Sequence, residues 1–283
     1  AAVGHEGLEP NRAGLAQAIR DKGIDVRASV KVVDIVVTPG AATVTLSDGT
    51  GLSAPLLVGA EGRGSVVRKA AGIGVVGWDY PQTGVVATVA MDEDHAGVAH
   101  EYFPPSGPFA ILPLTGRRAS LVWTESRRRA EAIAAARPEV IEAHLARRFG
   151  EFLGRVRLDG PRFTYPLTLQ MAERMYVDRA TLLGDAAHAV HPIAGQGLNL
   201  GLKDAAALAE VLADAVRLGE DIGSAAVLER YARWRRFDNA ALAAATDIFN
   251  RLFSNDNPLV RLARGAGMAA VNRIGPARRF FME

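Results

Sequence analysis

The segment LLGDAAHAVHPIAGQGLNLGLKDA, residues 182–205, constrains the fold more than any other stretch of the chain. An apolar run closes on Gly184 and Asp185, which sets a carboxylate at the tip of a strand. A loop containing Pro192 follows, and then Gly195, Gly197 and Gly201 surround the start of a long helix. Such a helix start offers free N–H groups and the positive end of the peptide dipoles, so it stabilises negative charge held against the loop. The Asp suits acceptance of hydrogen bonds from sugar-alcohol hydroxyls. A glycine-rich turn before a helix can equally be a structural cap; only the full length of the string makes it specific.

A second glycine cluster, AGIGVVGW at residues 71–78, places Gly72, Gly74 and Gly77 in G-x-G-x-x-G spacing. A pyrophosphate-binding fingerprint sits after a buried strand and opens a helix. This one follows helical sequence and precedes the extended, aromatic stretch WDYPQTGVVATV, so it reads as an accidental match in a loop between domains.

The rest of the chain alternates β-rich and helical segments. Residues 11–22 predict a helix with Gly23 as its C-cap. Residues 26–59 predict a small antiparallel meander ending in the strand Leu56–Gly59, followed by a short helix in RGSVVRKAAG. Four strands between Gln82 and Glu125 predict one antiparallel sheet, followed by a helix broken at Pro138. The expected class is α+β with α/β character: a Rossmann-like nucleotide-binding domain interleaved with an antiparallel sheet domain. The boundaries drawn are 1–78 and 166–253 for the two parts of the first domain, 79–165 for the second, and 254–283 for a C-terminal basic amphipathic helix.

Composition narrows the chemistry. With no cysteine in 283 residues, disulfides, thiolate metal sites and thiol nucleophiles are excluded. A net charge of +2 does not argue for nucleic acid. From Arg251 to Glu283, six Arg against two acids give +4, leaving about −2 on the remainder. That basic tail also carries Leu259, Val260, Leu262, Met268, Phe280 and Phe281, which suits either a membrane-surface or partner-docking element or a helix packed on its own domain. His188 and His191 lie three apart beside Asp185, without a further ligand at diagnostic spacing, so no metal site is expected. Trp78, Tyr80, Tyr102, Phe103 and Phe109 suit either a ring-binding cavity or core packing. Hydrolase, P-loop and zincin motifs do not occur.

Residues 182–205 resemble the GD motif of flavoprotein monooxygenases of the para-hydroxybenzoate-hydroxylase type. The resemblance implies an FAD site built from Asp185, Pro192, Gly195, Gln196, Gly197, Leu198 and Asn199, with the Asp on the sugar part of FAD and the helix start on the flavin pyrimidine. LLVGAEGRGSVVRKAAGI resembles the family's DG motif through Ala60, Glu61, Gly62, Ser65, Val67 and Arg68, with Glu61 where Asp is usual. LEPNRAGLAQAI resembles the segment whose Arg approaches the flavin, which implies Arg12.

The stretches GWDYPQTGVVATV, HEYFPPSGPFAILPL and SLVWTE look most like the ubiquinone-biosynthesis hydroxylases, the 2-octaprenyl-6-methoxyphenol hydroxylase group. That implies NAD(P)H as transient reductant, a flavin C4a-hydroperoxide as oxidant and a polyprenylated phenol as substrate. It also implies residence in the cytoplasm or peripherally on the inner membrane, and membership of a multi-enzyme ubiquinone-synthesis complex as a further option. No catalytic residue follows from it. The family's own G-x-G-x-x-G precedes the region matching Arg12, so the resemblance further implies an N-terminally incomplete chain, inactive by itself. The alternatives are a prenyl-lipid-binding or assembly subunit of the same fold, and a flavin reductase of prenyl groups.

Overall fold

The structure is a computed structural model, and it describes residues 9–150, 152–254 and 257–258. The chain divides into two compact units. One takes Glu9–Tyr80 and Leu167–Asp247; the other is centred on Pro81–Pro166 and resumes at Ile248.

The first unit begins with α1 (Glu9–Asp21), which Gly23 ends at φ +64°. Next come β1 (Val32–Val37), β2 (Ala42–Leu46) and β3 (Gly51–Ala54), an antiparallel meander in that order. Gly49, at φ +85°, and the Asp48 carboxylate, which accepts from the Thr50 N–H at 2.9 Å, close the second hairpin. The expected continuation of this meander through Gly59 is corrected. Strand β4 (Leu57–Gly59) leaves it and pairs in parallel with β11 (Ala180–Leu182), Leu57 opposite Ala180. The physical reason is burial: Ala180, Thr181 and Leu182 are all closed to solvent, and a strand covered on both faces suits a parallel pair.

Ser65 caps α2 (Val66–Ala70) by accepting from the Arg68 N–H, while the Glu61 carboxylate accepts from Ser65 Oγ and the Val67 N–H, both at 2.8 Å. Here the longer acid serves as a cap. Beyond Gly72 (φ +62°), strand β5 spans Val75–Met91. The expected loop at Gly72–Gly77 is therefore half strand. A Cβ on Gly77 would lie 2.0 Å from the carbonyl oxygen of Leu169, so this glycine serves backbone approach within a sheet.

The second unit adds β6 (His100–Tyr102), β7 (Phe109–Leu114), β8 (Arg118–Ser126), α3 (Arg127–Ala135), α4 (Pro138–Phe149) and β9 (Val156–Ala172). Pro138 takes the first turn of α4, where its missing N–H costs nothing. The strand order in this unit is β9-β5-β8-β7-β6, with Trp123 of β8 opposite both Val85 and Phe109. Phe109 is core: its ring meets Trp123 edge-on at 5.9 Å and Phe149 at 5.7 Å, above Leu121, Ile141 and Leu145.

Returning to the first unit, the chain forms β10 (Tyr176–Val177), β11, β12 (His188–Ala189), α5 (Gly197–Arg217) and most of α6 (Ala225–Phe253). Helices α5 and α6 pack through small and aliphatic side chains: Ala207, Leu208, Val211 and Ala215 against Val227, Leu228 and Tyr231. The expected basic amphipathic helix falls on residues 254–283, of which 255–256 and 259–283 lie outside the described residues.

Candidate cofactor site

Strand β11 delivers the site and is clamped as it does so. Leu182 is fully buried and its carbonyl accepts from the Tyr231 hydroxyl at 3.0 Å; the Thr181 hydroxyl donates to the Met175 carbonyl at 3.0 Å. Burial pushes the Tyr231 hydroxyl pKa up, which keeps it a donor. The chain then turns at Gly184, φ +57°, and presents Asp185 exposed at the strand tip. A Cβ on Gly201 would stand 3.4 Å from Gly184 Cα, so the first turns of α5 lie close against this tip.

Helix α5 is open at its start. Gln196 occupies the N-cap position, makes no side-chain cap hydrogen bond, and no acid falls in the first turn. The amides of Gly197, Leu198 and Asn199 are among those that lack an intrahelical acceptor, and the positive dipole end meets no charge from its own helix. The helix starts at Gly197, within the expected Gly195–Asn199 stretch. Ile193–Gly195 form a separate 3-10 turn, and Gly195 takes φ +61°, which keeps it out of the α-helix. Pro192, Gly195, Leu198 and Asn199 are exposed around the opening, and Asn199 Nδ2 lies 3.4 Å from Gln196 Oε1. The structure thus gathers Asp185, Pro192 and Gly195–Asn199 in one loop–helix junction. Arg12 falls within α1, and its side chain lies outside what is described.

Residues that sequence reasoning missed hold this junction. Asp204, fully buried on α5, accepts from the Gly184 N–H at 3.0 Å, pairs with His188 Nε2 at 2.5 Å and accepts from Arg235 Nε at 2.8 Å. Burial opposes its charge, but His188, Arg235 and the Gly184 amide outweigh that and hold the carboxyl below the usual range. Its signal was in the pattern: Leu200, Asp204, Ala207, Leu208, Val211 and Ala215 share the buried face of α5, and one acid on an apolar stripe needs a partner.

Two further groups border the loop. Arg68, buried, donates to the Ala186 carbonyl at 2.8 Å, joining the DG-like helix to the GD-like loop. His191, fully buried, accepts the Ile193 N–H at Nδ1 over 3.2 Å, which leaves the proton on Nε2. Burial pushes its pKa down to about 4, against the Asp247 charge, and Nε2 has no hydrogen-bond partner among the described residues. Tyr80 stacks edge-on against His191 at 5.0 Å and donates its hydroxyl to Asp247 at 2.8 Å. Tyr80 is therefore buried structure, whereas Trp78 is 41% exposed.

An exposed carboxylate, an uncapped helix start and an orphaned buried N–H donor within one junction suit a polyhydroxylated, electron-rich ligand. Comparison with known proteins agrees with that chemistry. The family model described as "FAD binding domain" matches residues 12–245. Ubiquinone hydroxylase UbiL of Rhodospirillum rubrum is 53% identical over 84% of this chain and 56% of its own length. The 3-demethoxyubiquinol 3-hydroxylase of Escherichia coli is 38% identical over 83% of this chain and 60% of its own. The chain thus spans a little over half the length of these relatives. The p-nitrophenol 4-monooxygenase PnpA of Pseudomonas putida superposes with a TM-score of 0.77 over 96% of this chain and 70% of that one, at 22% identity, and so shares the fold.

Proposed function

We propose, from the premise that this chain belongs to the family of FAD-binding domains, that it is part of a flavin-dependent monooxygenase that hydroxylates the ring of a polyprenylated phenol in ubiquinone biosynthesis. The observation that carries this is the junction where exposed Asp185 stands beside the uncapped start of α5. When bound, the flavin supplies the redox chemistry that turns oxygen into a ring hydroxylant with electrons from NAD(P)H.

This chain's residues bind and bias that group. Asp185 accepts hydrogen bonds from the sugar-alcohol hydroxyls. The amides of Gly197, Leu198 and Asn199 offset negative charge on the pyrimidine edge. Gly195 and Pro192 shape the turn that lets the ligand approach the backbone, and Gln196 and Arg12 complete the contacts. The Asp204–His188–Arg235 network keeps Gly184 in place beneath them. The nucleotide-binding parts are residues 1–78 and 166–253; the sheet between, 79–165, serves the phenol. The names of the relatives support that substrate class. Membrane contact and membership of a ubiquinone-synthesis complex belong to this reading as proposals; among the described residues no helix is long and apolar enough to cross a membrane.

The test is made on the intact protein. A yellow preparation with flavin absorbance, phenol-dependent NAD(P)H oxidation and a hydroxylated product by mass spectrometry is expected. Asp185→Ala should weaken FAD binding at least tenfold at unchanged urea midpoint. A colourless protein that binds prenylated phenols without turnover, even with excess FAD, overturns the proposal in favour of a lipid-binding subunit.

A further inference from the structure

Helix α6 carries an apolar stripe that stays open to solvent among the described residues. Leu228, Tyr231, Arg235, Asn239, Ala243 and Thr246 take its buried face. On the opposite side Trp234, Phe237, Ala241 and Ala244 follow one another three and four residues apart, all exposed and all within the nucleotide-binding unit. Phe237 is 79% exposed, the most open large apolar side chain among the described residues, and Trp234 is 49% exposed. A helix face that meets water carries polar residues at such positions. Apolar residues at alternating steps of three and four are what two paired helices interlock.

We propose that this stripe is the contact between two copies of the chain, α6 against α6, antiparallel about a two-fold axis. The stripe complements itself when reversed. In that register Trp234 falls opposite the partner's Ala244 and Phe237 opposite the partner's Ala241, and the two-fold axis repeats both pairs. Each large ring then meets a methyl, so the four layers fill evenly. Parallel pairing would stack ring on ring and leave methyl facing methyl across a gap. The flanks agree with the antiparallel register. It sets Arg233 opposite the partner's Asp247, Ala240 opposite the partner's Ala240, and Asp238 opposite the partner's Ala245, so no like charges face each other. Arg233 is largely exposed and is tied to Glu229 of its own helix at 2.9 Å, and the Asp247 carboxylate also accepts from the Tyr80 hydroxyl. A lipid surface would call for bulky side chains along the whole stripe. The alanines at 240, 241 and 244 instead let two helix backbones come close.

The oligomeric state of the intact protein tests this, whatever cofactor the Asp185–α5 junction takes. Sedimentation velocity at micromolar concentration should show a dimer. Phe237→Glu and Ala241→Glu should each raise the dimer dissociation constant about a hundredfold or more, because each enters the seam twice, while the circular dichroism stays unchanged. If Phe237→Glu does not fold, Ala241→Glu at an exposed methyl decides alone. The chain has no cysteine, so single-cysteine variants report the register. A short bismaleimide should join Ala240→Cys to its own copy. It should not join Arg230→Cys, which lies on the same stripe but about 27 Å from its copy along an antiparallel pair. A monomer at that concentration, a dimer indifferent to both glutamate substitutions, or linkage through Arg230→Cys in place of Ala240→Cys overturns the proposal. A monomer that binds anionic vesicles, and loses that binding with Phe237→Glu, overturns it in favour of a lipid surface.

Discussion

Arg68 Nη1 donates to the carbonyl of Ala186 at 2.8 Å, across 118 residues of sequence, and its Nη2 donates to the carbonyl of Arg63 at 2.6 Å. The residue after Asp185 is thereby tied to the helix that Ser65 caps. Arg68→Met keeps much of the buried stem but withdraws both donors. It should cost about 2–3 kcal/mol, since a buried carbonyl loses its partner, and should loosen the Asp185 turn. Urea unfolding gives the first effect, and FAD titration, with at least a threefold loss of affinity, gives the second. Arg68→Lys, which can satisfy only one of the two carbonyls at a time, should fall between.

The Asp204 carboxylate holds Gly184, His188 and Arg235 at once. Asp204→Asn keeps one acceptor but removes the buried charge, leaving Asp238 as the carboxylate partner of Arg235 among the described residues, and should destabilise by about 3–5 kcal/mol. The pH dependence has a defined sign. Because the folded carboxyl titrates below its ordinary value, its contribution is complete above the unfolded pKa and is lost as pH falls through the lower folded one. Urea midpoints measured downward from pH 5 should therefore fall more steeply in the parent than in Asp204→Asn.

Local pattern made the elements of this fold legible, and the motif strings made the junction legible. Gly23, Pro138 and the long α5 and α6 announced themselves through turn chemistry and helical period. What stayed hidden depends on partners distant in sequence. Strand β4 reads as the end of a meander until β11 supplies its parallel neighbour more than 120 residues later. Asp204 sits on an apolar stripe that calls for a partner, but only the fold identifies Arg235 and His188 as the ones it takes. Gly77 reads as loop because nothing local shows that the Leu169 backbone crosses its face.

Two identical substitutions at glycine should therefore act in opposite directions. Gly77→Ala puts a Cβ 2.0 Å from a backbone oxygen that no side-chain rotation can move, so it should cost several kcal/mol or prevent folding. Gly14 lies inside α1, with nothing within 4 Å of an added Cβ. Gly14→Ala should stabilise by about 0.5–1 kcal/mol through the reduced freedom of the unfolded chain. Thermal melts of the two variants against the parent check both signs; a neutral Gly77→Ala would contradict the close approach of β5 and β9 residues in this region.

His191 makes a prediction that runs against the usual expectation for a histidine near a carboxylate. Asp247 favours the imidazolium, but burial wins and lowers the pKa from 6.5 to about 4. The unfolded chain therefore binds a proton below pH 6.5 that the folded chain refuses until about pH 4, and stability falls as pH is lowered through that interval. The full effect is about 3 kcal/mol for a shift of this size. His191→Asn keeps an acceptor for the Ile193 N–H without titrating. It should be less stable at pH 7, having lost the edge-on contact with Tyr80, but its urea midpoint should decline less between pH 6.5 and 4. Parallel profiles for parent and variant would mean that His191 is charged in the folded protein, and the Nε2 donor assigned beside the loop would then belong to an imidazolium.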